Sequence, residues 1–250
     1  MMSSPDSSPN ADAAAREPAA ADSLALSREA IIDGILSETF PASDTPAFGA
    51  AAHTAHFSKS LHPARKEPPM PRLPSIDIDS ASADVKPVLE QVQHQFGAIP
   101  NMIKLMANSG ATLKGFLDLN AATSRSRLGA RVRESVALRV SEHNGCTYCL
   151  SAHAALAGAA GLRREQIDEA RHGHSSDPKS QAVLAFTGAV LRTRGGVSQD
   201  ELDAAKRAGL SDAELTEVIA IIAHATFTNY FNRAFDTVVD YPRIDAHSHH

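Results

Sequence analysis

An all-α domain behind an irregular N-terminal arm is the fold this sequence predicts, and three observations predict it. From about Ser82 onward, large apolar residues recur at three- and four-residue intervals, the period of a helix with one buried face. No stretch of any length alternates apolar and polar residues as a half-buried strand does. Two segments open with a capping-box signature, Ser198 with Glu201 and Ser211 with Glu214.

The elements follow in chain order. Residues 1–23 are mostly Ala, Ser, Pro and Asp with almost no large apolar side chain, too little apolar surface to offset the entropy of ordering. Residues 24–36 can form one short amphipathic helix through Leu24, Ile31, Ile32 and Leu36, and Phe40 to Asp44 reads as a turn or docking element. Ten of the 14 prolines lie before residue 75, and His62 to Pro74 reads as a stiff, extended linker. The expected division is therefore an arm over 1–75, a helical domain over 76–242 and a flexible tail over 243–250. Within the domain, Val85, Val88, Leu89, Val92 and Phe96 make the first helix, stopped by Gly97. A second begins at Asn101 after Pro100, a third runs from about Ala111 to Ser124, and a fourth from Leu128 to His143. The last, about 211–238, carries Leu215, Val218, Ile219, Ile222 and Phe227.

Composition excludes several classes. The net charge of −5 leaves no basic footprint for nucleic acid or an anionic membrane. No run approaches the roughly 20 apolar residues of a membrane span. A charged then apolar leader is not visible at the N-terminus, so a reducing cytoplasm is the expected compartment. Hydrophobic residues make up 43% of the chain but aromatics only 5%, so the core must be built from Ala, Leu, Ile and Val.

The chemistry-bearing segment runs from Glu134 to His153. Asn144-Gly145 breaks one helix, and Cys146, Cys149 and His153 follow at the start of the next. Thiols at i and i+3 lie on one face of a helix, close enough to bridge. A thiol at a helix N-terminus is favoured as thiolate by the dipole and the free N–H groups. His153, four residues after Cys149, is placed to reach that sulfur as base or imidazolium. Glu134 projects from the preceding helix with Ala130, Ala137 and Leu138 at helical spacing, a face that partly desolvates it and lets it orient His153. Each residue alone has a plainer reading: a solvated Glu beside Arg131 and Arg133, a structural His, two small buried thiols. Zinc held by Cys146, Cys149, His153 and Glu134 or His143 is the competing chemistry, but the second CxxC or HxxxH pair usual in structural zinc sites is missing, and neither a metal nor a cofactor is expected.

The order Glu134, eleven residues, Cys146, two residues, Cys149, three residues, His153 resembles the signature of AhpD-like alkylhydroperoxidases in the carboxymuconolactone decarboxylase superfamily. Pro100-Asn101-Met102 and Leu128 before Arg133-Glu134 are similar to that family over roughly residues 76–242, and Asn229, Asn232 and Arg233 resemble its peroxidase-related subgroup. The resemblance implies a helical bundle and a thiol peroxidase acting on organic hydroperoxides. Cys149 would attack the peroxide and Cys146 resolve the sulfenic acid to a disulfide. His153 and Glu134 would move the proton, and an external dithiol or lipoyl-bearing protein would supply electrons. It also implies a homo-oligomer, trimer or hexamer. Tyr148 stands where the best-known AhpD proteins have His, which opens the identity of the reductant. The alternatives are a cofactor-independent lactone decarboxylase, which does not need the cysteine pair, and a non-enzymatic redox sensor or assembly module. His224 is expected to be a buried structural residue, and His247, His249 and His250 an exposed tail.

Overall fold

A computed structural model describes residues 70–247 of the chain. The expected helix over 24–36 and most of the arm lie outside these residues. Among the described residues there is no strand, and nine α-helices follow a 3₁₀ turn at Ile78–Ser80: α1 (Lys86–Phe96), α2 (Asn101–Met106), α3 (Gly110–Ser124), α4 (Gly129–His143), α5 (Thr147–Ala159), α6 (Arg164–Arg171), α7 (Pro178–Thr193), α8 (Gln199–Arg207) and α9 (Asp212–Ala234). The all-α expectation holds. So do both capping boxes: Ser198 and Ser211 accept from the backbone of Glu201 and Glu214, whose carboxylates return the bond.

Helix α4 is the axis. It packs against α5, α6, α7 and α9, and Glu134 to Leu138 and Val140 to Glu142 are all buried. Its Val136, Ala137 and Val140 meet Val183 and Phe186 of α7 and Val218, Ile221 and Ile222 of α9 in one apolar cluster. Leu138, on another face, meets Leu150, Ala154 and Ala157 of α5. A separate cluster joins Leu89 and Val92 of α1 to Ile103 and Met106 of α2 and Leu113 and Phe116 of α3.

Two ends of the chain differ from expectation. Contacts with the helical domain already reach Arg72, whose backbone N–H donates to the Phe235 carbonyl at 2.9 Å, and Asn108 Nδ2 donates to the Pro74 carbonyl at 2.7 Å. The last helix stops at Ala234 rather than running to 238, because Asp236 takes a left-handed conformation (φ 48°) and Thr237 N–H closes back on the Asn232 carbonyl at 3.1 Å. The chain then returns across α5. Residues 243–247, expected as a flexible tail, are instead bonded to the domain. Ile244 N–H donates to Ser151 Oγ at 2.9 Å, and His247 donates its backbone N–H to Glu142 Oε1 at 2.9 Å. The sequence does not announce this return because its partners lie 93 and 105 residues earlier.

Candidate active site

The turn between α4 and α5 builds the site. Gly145 sits at φ 66°, a conformation costly for any residue with a Cβ, and Cys146 N–H reaches back to the Ser141 carbonyl at 2.9 Å. That closure makes Cys146 the N-cap of α5, with its Sγ accepting the Cys149 backbone N–H at 3.3 Å. Cys146 and Cys149 are joined as a disulfide, with Cα atoms 5.4 Å apart. Both are buried, 1% and 2% exposed. Met102, Ala152, Val239 and Tyr241 pack against them together with Tyr148.

Glu134 and His153 meet one helix over. Glu134 is 6% exposed, which removes the reading of a solvated surface acid. Its Oε2 lies 2.8 Å from His153 Nδ1, and Arg133 Nε is 3.5 Å from its Oε1. The carboxylate thus fixes the imidazole by its Nδ1. The four residues singled out in the sequence are therefore on one pair of successive helices. The side-chain hydrogen bond that reaches Cys149 Sγ comes from Asn232 Nδ2 of α9, at 3.3 Å, and not from His153. Asn232 appears in the sequence only as part of a resembling string, with no role attached, because its partner is 83 residues away.

Tyr148 is no stand-in for an imidazole. Burial, with Tyr241 and the Asp240 carboxylate nearby, pushes its phenol far above the ordinary range, so it stays protonated. Its oxygen accepts the Met102 backbone N–H at 3.3 Å, and its ring meets Tyr241 edge-on at 5.8 Å. Asp240 in turn accepts from Asn101 N–H at 2.7 Å, at the start of α2. Tyr148 therefore ties the CxxC turn to α2 and to the returning chain.

His224 of α9 stacks on Phe116 with ring centroids 5.3 Å apart, and its Nε2 is enclosed without a partner. Burial, then the neighbouring His153, pushes its pKa down to about 4, with Arg133 adding to the fall and Glu134 opposing it. It is a neutral ring at physiological pH, packed on Phe116 and adjacent to the Glu134–His153 pair. Among the described residues no three His, Cys, Asp or Glu side chains converge as a metal site. No described helix is long and apolar enough to cross a membrane. A cleft of about 540 Å³ between α5, α6 and the returning chain is lined by Leu150, Ile167, Arg164 and Arg243 among others, and includes neither cysteine.

Comparison with known proteins agrees with this architecture. Residues 110–192 match the carboxymuconolactone decarboxylase family, a span that contains Glu134, Cys146, Cys149 and His153. The described domain has an AhpD-like helical fold. Among solved structures, the AhpD-core, peroxidase-related protein of Ralstonia eutropha superposes with a TM-score of 0.63 at 21% identity, over 68% of this chain and 93% of that one. A peroxidase-related protein from a Silicibacter species gives 0.61 at 19% identity, over 72% and 96%. The debrominase Bmp8, a variant solved with 2,3,4-tribromopyrrole, gives 0.55 at 23% identity, over 63% and 86%. No curated protein is a significant match. At these identities the structural likeness establishes the fold of the AhpD-like domain.

Proposed function

We propose that the AhpD-like domain is a thiol peroxidase that reduces organic hydroperoxides through Cys146 and Cys149. The observation that carries the reading is the pairing of a buried, bridged CxxC with a His153–Glu134 couple on the same two helices. In the reduced protein the Cys149 thiolate attacks the terminal oxygen of ROOH. The S–O bond forms as the O–O bond breaks, and the hydrogen already on that oxygen stays with it, giving Cys149–SOH. The departing alkoxide takes a proton from His153, whose imidazolium is stabilised by Glu134. Cys146 thiolate then attacks the sulfenate sulfur, forming the disulfide and releasing hydroxide, which is protonated to water. An external dithiol returns two electrons. The surroundings of the pair, Met102, Val239 and the two tyrosines, suit an apolar R group.

The same electron flow would let the thiolate take a halogen from carbon, the type of substrate named for Bmp8, so the test must separate the two. Wild type, Cys146→Ser and Cys149→Ser are treated with cumene hydroperoxide and with a bromopyrrole under a sulfenate trap and read by mass spectrometry. Trapped sulfenate on Cys149 only in Cys146→Ser is the expected result. Unchanged peroxide consumption in both variants would sink the reading. Self-association belongs to the same proposal. Ile219, Phe227 and Tyr230 are exposed along one face of α9, and sedimentation should find an oligomer that Tyr230→Glu weakens.

A further inference from the structure

The two sulfurs of the pair are held by different donors. Cys146 Sγ, at the N-cap of α5, accepts a backbone N–H of the first turn at 3.3 Å. Taken alone, that position favours Cys146 as the ionised thiol. Cys149 Sγ accepts instead from the side-chain amide of Asn232, also at 3.3 Å. Asn232 is 3% exposed, and the same Nδ2 lies 3.1 Å from Met102 Sδ. Disulfide and thioether sulfurs can only accept, so the N–H end of the amide is the end that faces them.

The other end distinguishes Asn232 from a structural asparagine. Its Oδ1 is enclosed and has no hydrogen-bond partner. Asn229, one turn earlier on α9, is satisfied at both ends: Oδ1 accepts from Asn144 Nδ2 at 2.9 Å and Nδ2 donates to Ser141 Oγ at 3.2 Å. Asn229 ties α9 to α4. Asn232 gives its side-chain hydrogen bonds to sulfur alone, an arrangement that is costly for fold stability and useful only if the sulfur needs a donor.

We infer that Asn232 is a catalytic residue that makes Cys149, rather than the helix-capping Cys146, the thiolate of the reduced pair. This rests on the peroxidase reading for its purpose but not for its physics. A hydrogen bond to an anion is roughly twice as strong as one to a neutral acceptor, so the amide favours the ionised sulfur. Tyr148 and Tyr241 pack against the pair and Asp240 lies beside Tyr148, while the Glu134–His153 couple, with Arg133 and His224 beside it, stands on the neighbouring helices. None of them donates a hydrogen bond to Cys149 Sγ, which leaves Asn232 as the group that differentiates the two thiols.

Single-cysteine proteins give the test, since the chain has two cysteines. Thiolate absorbance is titrated in Cys146→Ser and in Cys149→Ser, each with and without Asn232→Ala. Asn232→Ala is expected to cut the Cys149 thiolate at neutral pH roughly tenfold, a one-unit rise in midpoint, and to leave the Cys146 midpoint in place. Equal shifts of both thiols, or no shift of Cys149, would overturn the inference. If Asn232→Ala does not fold, the reduced wild type carries the test. The Asn232 side-chain amide resonance should move with the Cys149 titration, and a resonance that stays still refutes the assignment. Because no peroxide is used, an absence of sulfenate in the earlier experiment would remove the peroxidase reading without touching this result.

Discussion

Glu134 and Glu142 lie on the same helix, two turns apart, and both are buried, yet their surroundings give them opposite tasks. Glu142 is saturated. Arg171 reaches its Oε2 through Nε at 2.9 Å and Nη2 at 2.7 Å, while the His247 backbone N–H and Nδ1 reach its Oε1 at 2.9 and 2.8 Å. Burial pushes its carboxyl up, but the His247 backbone bond and the Arg171 and His247 side chains outweigh it and hold the group below the ordinary range. Arg171 also donates to the Asp245 carbonyl at 2.8 Å, so this knot fastens the returning chain to α4. Glu134 has one strong partner, a histidine, and a more distant arginine. A buried acid fixed as a permanent anion makes a clasp; one whose main partner is a histidine is suited to the relay of the proposed mechanism.

The largest expected effect tests the relay. Glu134→Gln should lower the rate of sulfenate formation roughly 10²–10⁴-fold, the usual scale of general acid–base catalysis, with little change in unfolding. Stopped-flow peroxide reduction on the Cys146→Ser background reads it, and a loss confined to stability would reverse the assignment. Glu142→Ala should do the opposite. It leaves Arg171, buried, with only the distant and exposed Asp168 carboxylate at 3.9 Å as counter-charge, expected to cost about 3–5 kcal/mol in urea unfolding.

Acid should separate the two ends of α4. His224, beside the Glu134–His153 pair, has a folded pKa of about 4 against 6.5 ordinarily. Its contribution is therefore complete above pH 6.5 and lost as pH falls towards 4, because the unfolded ring takes up a proton first. Glu142, depressed below 4.5, contributes fully above that value and fails only on further acidification. Unfolding measured from pH 7 to 3 should thus decline in two windows, with His224→Phe flattening the upper one and Glu142→Gln shrinking the lower, which it shares with Glu214 and the other depressed carboxylates. The smallest effect is His247→Ala, about 1 kcal/mol, since the exposed imidazole's contacts to Glu142 and Arg171 go while the backbone N–H to Glu142 remains.

Much of the fold was legible because it is local. The stops at Gly97 and Asn144-Gly145, the caps at Ser198 and Ser211 and the apolar periods of α1 to α4 are decided within a few residues. The site was legible to the same extent. Cys146, Cys149 and His153 share one helical face by spacing, and Glu134 lies only 19 residues from His153. The end of α9 was misjudged because a left-handed Asp236, rather than a glycine or proline, stops it.

By itself, then, the sequence determined an all-α domain with a dithiol and an acid–histidine couple on successive helices, since helix period and capping act over one or two turns. Only the tertiary structure decided which sulfur receives the Asn232 amide, that Tyr148 is an anchor, and that the chain after α9 closes over the pair and locks onto Glu142. Those contacts join residues 46 to 105 positions apart. Their selection depends on how α4, α5 and α9 pack, and no local spacing encodes it.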